Sequence, residues 1–189
     1  PIEQLIGEID FVSMIWLMLR GELPTPAQSR LLQAALVASV DHGPQAPSIS
    51  IARMAATCGV GVNNAMASGI NALGDVHGGA GQQCLEVYDE VVAAAQGDFA
   101  GAAAREAVLR AIRERRHLPG FGHRFHPVDP RTEPLLSMVE AAVAAGDAPG
   151  HYLAAGRTVT EVLREAKGRL VPMNIDGATA VIFGELGFT

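Results

Sequence analysis

The chain has 189 residues, 49% hydrophobic and 18% charged, enough length and apolar content for a buried core, which excludes intrinsic disorder. A net charge of −6 argues against a nucleic-acid binder. The most apolar early stretch, residues 11–19, falls well short of the ~20 residues that a membrane-spanning helix needs.

From the first residues onward, helix follows helix. Phe11–Arg20 is strongly apolar and stops at Gly21. Thr25 is placed to cap the next helix, with Pro26 in its first turn. That helix carries Leu31, Leu32, Ala35 and Leu36 and ends near Asp41-His42-Gly43-Pro44. Further helices are expected over 48–57, 62–73 and 79–95. Another covers 99–116, with Ala103, Ala107, Val108, Ala111 and Ile112 as its inner stripe. After a proline-punctuated loop over 127–130, helices follow over 133–145 and His151–Lys167, and a last one over 178–186. Residues 169–173 are the one strand-like run, too short to define a sheet, so the fold class is all-α.

No basic segment leads into a long apolar one, so no secretory signal is expected. Because the chain opens on Pro1, a natural start upstream is expected. Cys58 and Cys84 lack metal-type spacing and read as reduced core thiols of a cytoplasmic protein. Seven of the fourteen Lys+Arg residues lie between Arg105 and Arg131, against Glu106, Glu114 and Asp129. The segment is either a local anion site or, over 105–116, a solvated helix face.

Three motifs concentrate the acid–base chemistry: Gly74-Asp75-Val76-His77-Gly78-Gly79-Ala80, Pro119-Gly120-Phe121-Gly122-His123-Arg124 and Asn174-Ile175-Asp176-Gly177. Each sets a titratable side chain beside glycine at a break between helices, where backbone can approach a ligand closely. His77 falls just before a helix start, whose positive end favours a neutral, hydrogen-bond-donating imidazole. His123 sits in a loop suited to general acid–base work. Asp176 is either a base or the N-cap of the last helix. His42 either binds a carboxylate or caps the preceding carbonyls. The fork of Arg131 suits a carboxylate ligand, or an ion pair with Asp129 or Glu133. His126 follows His123 by three, but with neither an HExxH motif nor a Cys pair no metal is expected.

These residues resemble the motifs of the citrate synthase superfamily. His-Gly-Gly-Ala at 77–80, Pro-Gly-Phe-Gly-His-Arg at 119–124 followed by Asp-Pro-Arg at 129–131, and Asn-Ile-Asp-Gly at 174–177 stand in that family's order and approximate spacing. The resemblance implies a citrate synthase-like, all-helical homodimer. Its large domain would cover 1–79, a small domain 80–171 and a return segment 172–189, with the remainder beyond Thr189. It implies coenzyme A thioester chemistry without a metal, on an acyl-CoA and a 2-oxo dicarboxylate or citrate-like partner. His77 then stabilises the acetyl-CoA enolate, His123 bonds or protonates the oxaloacetate carbonyl, and Asp176 moves the methyl proton. His42 and Arg131 hold substrate carboxylates, and Pro119, Gly120, Phe121, Gly122 and Arg124 meet coenzyme A.

On the direction of reaction the resemblance divides. Asp41-His42-Gly43-Pro44, Gly74-Asp75 and Gly177 are similar to the citryl-CoA lyase module of ATP-citrate lyase, whereas a histidine at 77 is a synthase feature. Citryl-CoA cleavage is the expected activity, with citrate or 2-methylcitrate-type synthesis as the alternative. An inactive regulatory paralogue is the competing class.

Overall fold

The structure, a computed structural model, describes residues 1–40, 43–115, 117–122 and 127–188. After a 3-10 turn at Ile2–Gln4, α1 (Phe11–Arg20) starts where the Asp10 carboxylate accepts from the Ser13 N–H, and stops at Gly21. A reciprocal capping box between Thr25 and Gln28, with Pro26 at the first position, opens α2 (Pro26–Ala38). The following helices are α3 (Pro47–Thr57), α4 (Val62–Ile70), α5 (Ala80–Ala95) and α6 (Ala102–Glu114). The set closes with α7 (Thr132–Ala144), α8 (His151–Lys167) and α9 (Ile175–Glu185). Among the described residues there is no sheet, and the 169–173 run contributes a single bridge between Met173 and Phe121.

The last helix begins three residues earlier than the 178–186 span expected. The Asn174 side chain accepts from the N–H groups of both Asp176 and Gly177, so Asn174 is the N-cap and Asp176 lies inside the first turn. Asp176 is thereby relieved of the capping role.

The core forms where α5, α6, α8 and α9 pack together, with α9 reaching on to α7 and α2 and α1 lying on α2. Almost all of α9 is buried, from Ile175 through Ala178, Val181 and Ile182 to Glu185. Small residues make this possible: Ala104, Ala107 and Ala111 of α6 are sealed, and a β-carbon on Gly156 of α8 would press on Met173 and Val181 at 3.0 and 3.1 Å. The α8 N-terminus starts at Gly150 without a cap of its own. Instead the buried Glu185 carboxylate on α9 accepts from the N–H groups of Gly150, Tyr152 and Leu153. At the same C-terminal end of α9, the Arg20 guanidinium lies over the rings of Trp16 and Phe188 and donates to the Leu186 carbonyl.

The α3–α4 hairpin is different. Among the described residues it packs on itself and on no other helix. Ala65 and Gly69 are its buried contacts, while Met54, Val62, Met66 and Ile70 face outward, Ile70 at 61% exposure. Cys58, at the end of α3, is exposed and not the core thiol expected, because that helix buries nothing. Cys84 is buried as expected.

Candidate active site

Two of the three motifs meet directly. Gly122 donates its N–H to the Pro172 carbonyl at 2.7 Å, and Asn174 donates its backbone N–H to Gly120 at 3.0 Å. The Asn174 side-chain amide also donates to the Gly122 carbonyl at 2.7 Å. One asparagine thus caps α9 with its oxygen and pins the 119–122 loop with its nitrogen. The contact requires glycine on both sides. Gly120 has φ of +80°, and a β-carbon there would strike the Cys84 thiol and lie 2.9 Å from the Gly177 Cα. A β-carbon on Gly177 would in turn meet the Gly120 carbonyl and Met173.

The third motif approaches through α5. His77 lies in a tight turn closed by bonds between Gly74 and His77 and between Gly79 and Gly74, immediately before α5 begins. Its Nε2 stands 3.1 Å from the Ser48 backbone N and 3.0 Å from the Ser48 Oγ, at the start of α3. A backbone N–H can only donate, so Nε2 is an acceptor and the ring proton resides on Nδ1. The first turn of α5 then runs beside Asp176, whose carbonyl lies 4.0 Å from the β-carbon position of Gly81. Asp176 also bears electrostatically on Cys84, one turn further on. Burial drives the Cys84 thiol up to about 12, and the Asp176 charge adds to this, so sulfur enters the site as a neutral S–H.

Arg131, at the start of α7, makes the ion pair with Asp129 named as its alternative. Its Nε and Nη2 each reach a different Asp129 oxygen at 2.9 Å, and its backbone N–H adds a third bond. Asp129 is 1% exposed and also accepts from the Ile175 N–H, tying α7 to the α9 turn that carries Asp176. Burial opposes ionisation of Asp129, but the Arg131 and Ile175 bonds outweigh it and hold the carboxyl down at about 2. His42, His123 and Arg124 lie outside the described residues.

The remaining arginines divide. Arg105 pairs with Glu165, Arg113 with Glu106 and Arg110 with Glu90, all on exposed surface, which is the solvated helix face. Arg115 turns instead to a cavity of about 270 Å³, with Leu118, Phe121 and Val171 in its walls. His117, Lys167 and Arg169 complete a basic rim, opposed at Arg115 by Glu90 and Glu114. Sequence reasoning named Phe121 and counted Arg115 in the arginine segment read as an anion site or a solvated face, but missed His117, Lys167, Arg169 and Ser48. Arg169 sat within the strand-like run and Lys167 at a helix end, and neither carried a local signal of convergence.

Comparison with known proteins brings these observations together. The family model "Citrate synthase, C-terminal domain" matches residues 1–189. The citrate synthase of Deinococcus radiodurans is 27% identical over 90% of this chain, which spans 44% of that protein. The structure of citryl-CoA lyase from Hydrogenobacter thermophilus superposes with a TM-score of 0.85 at 33% identity, covering 99% of this chain and 70% of that one. The ATP citrate lyase of Methanothrix soehngenii, solved in complex with citrate and coenzyme A, shares the fold with a TM-score of 0.80 at 23% identity. It is matched over 96% of this chain and 28% of its own length. The chain therefore spans less than half the length of the curated synthase it resembles.

Proposed function

The chain belongs to the citrate synthase family, and from that premise we propose that it makes or breaks the carbon–carbon bond between acetyl-CoA and oxaloacetate, acting mainly as a citryl-CoA lyase. The observation that carries this is the Asn174 clasp, which joins the glycine loop 119–122 to the Asp176 turn beside the start of α5. The coenzyme A moiety lies along Pro119, Gly120, Phe121 and Gly122, and the family resemblance adds Arg124 as a further contact. Its anionic end faces the rim of Arg115, His117, Lys167 and Arg169, where apolar walls and cations together suit an adenosine phosphate.

In cleavage, His123 takes the proton of the citryl hydroxyl as the carbonyl of oxaloacetate forms and the adjacent carbon–carbon bond breaks. The electron pair passes to the acetyl-CoA enolate, which the Nδ1–H of His77 stabilises while Ser48 holds the opposite ring nitrogen. Asp176 delivers a proton to the enolate carbon, giving acetyl-CoA and oxaloacetate. His42 and Arg131 bind the carboxylates; Arg131 does so with its orientation set by Asp129. The similarity to citryl-CoA lyase at 33% identity supports the cleavage direction. Citrate synthesis is the second reading, favoured by the histidine at 77 and by the synthase relatives.

Purified full-length protein incubated with citryl-CoA, and separately with acetyl-CoA and oxaloacetate, tests both. Lyase action releases acetyl-CoA from the first mixture faster than free coenzyme A appears in the second; the reverse order assigns a synthase. Asp176→Asn and His77→Ala each lose about 100-fold or more in the active direction. Turnover in neither mixture rejects the proposal in favour of an inactive regulatory paralogue.

A further inference from the structure

Beneath the two joined motifs lies a side chain that the reaction itself does not use. Tyr88 of α5 is 0% exposed, and a phenol removed from water needs a hydrogen-bond partner. Its hydroxyl donates to the Gly177 carbonyl at 3.3 Å, in the residue that follows Asp176. Its ring meets Phe121 edge-on with centroids 6.5 Å apart. Cys84, four residues earlier on the same helix face, abuts Gly120. One stripe of α5 therefore touches the glycine loop twice, through Cys84 and Tyr88, and the Asp176 turn once.

We propose that Tyr88, with Cys84 one turn before it, is a positioning residue that sets the Asp176 carboxylate in register with the 119–122 loop. The proposal rests on the reading of Asp176 as the proton-transferring group. The hydroxyl fixes the Gly177 peptide in the first turn of α9, where Asn174 acts from the outer side and Tyr88 from the core side. A base displaced by about 1 Å from its carbon loses on the order of 100-fold in rate, so a partial release costs a fraction of that. Thioester binding depends on the loop and the cavity, which the phenyl ring still supports. The hydroxyl consequently acts on turnover and not on affinity.

Tyr88→Phe in the full-length protein isolates the hydroxyl while keeping the ring. Expected is a fall of about tenfold in kcat for citryl-CoA cleavage, with KM held within about twofold. Solvent deuterium uptake into the acetyl-CoA methyl group falls in parallel. Unchanged kcat and exchange overturn the proposal, as does a joint change of kcat and KM with a lowered melting temperature, the mark of a merely structural hydroxyl. Should Tyr88→Phe not fold, Cys84→Ala decides on the same readouts: reduced kcat at constant KM supports positioning, and wild-type kcat overturns it. Asp176→Asn is measured alongside. If that variant keeps wild-type exchange, the assignment of Asp176 as base fails, and the positioning role with it. If it loses exchange while Tyr88→Phe and Cys84→Ala do not, the positioning role alone fails.

Discussion

Asp129 shows what a single carboxylate contributes here. It is out of solvent, yet it stays ionised because Arg131 and the Ile175 N–H face it from two elements. Its folded value of about 2 lies below the ordinary 3.8, so its stabilisation is full above about pH 4 and disappears as pH falls toward 2. The shift corresponds to on the order of 2 kcal/mol. Chemical denaturation at neutral pH should find Asp129→Asn less stable by about 3 kcal/mol, with the gap to wild type narrowing as pH falls below about 4. A second prediction concerns Ser48. Ser48→Ala removes the hydroxyl but leaves the backbone N–H on His77, so kcat should fall less than about tenfold, against about 100-fold for His77→Ala. Steady-state kinetics of the two variants checks this. His77 and Asp176 were legible from the glycines beside them. Ser48 was not, because its bond to His77 crosses 29 positions and a serine in the first turn of a helix carries no local sign of a distant partner.

Helix boundaries divide along the same line between local and distant causes. Gly21 and the Thr25–Gln28 box sit beside the ends they set, and α1 and α2 fall where the pattern puts them. The start of α9 was displaced because Ile175-Asp176-Gly177 is poor helix sequence whose first turn is secured by Asn174 and by contacts from α5. The start of α8 is the extreme case, its cap being supplied by Glu185 from more than 30 residues away. Glu185→Ala leaves three N–H groups of α8 without their acceptor and should lower the unfolding free energy by about 2 kcal/mol. Glu185→Gln, which keeps one acceptor oxygen, should lose about half as much. Thermal and urea unfolding of both variants tests the ordering.

On the scale of the whole molecule, the α3–α4 hairpin presents Met54, Val62, Met66 and Ile70 to solvent while packing on no other described helix. Exposed apolar side chains grouped on one hairpin mark an interaction surface. We propose that the homodimer implied by the sequence motifs covers this face with a second copy; one chain has a mass of 19.7 kDa. Sedimentation should therefore give twice that mass, and Ile70→Glu should return it to the single value with the helical circular dichroism intact. The position of α9 carries one more consequence. A ribosome delivers the polypeptide in order, so α2, α5, α7 and α8 leave the exit tunnel before the helix on which they all pack. Until residues 175–185 emerge, those helices have only one another, α1 and α6 to pack on, and consolidation of the core waits for α9. Removal of α9 from this chain should therefore leave α2, α5, α7 and α8 without their common support and expose apolar surface to a hydrophobic dye.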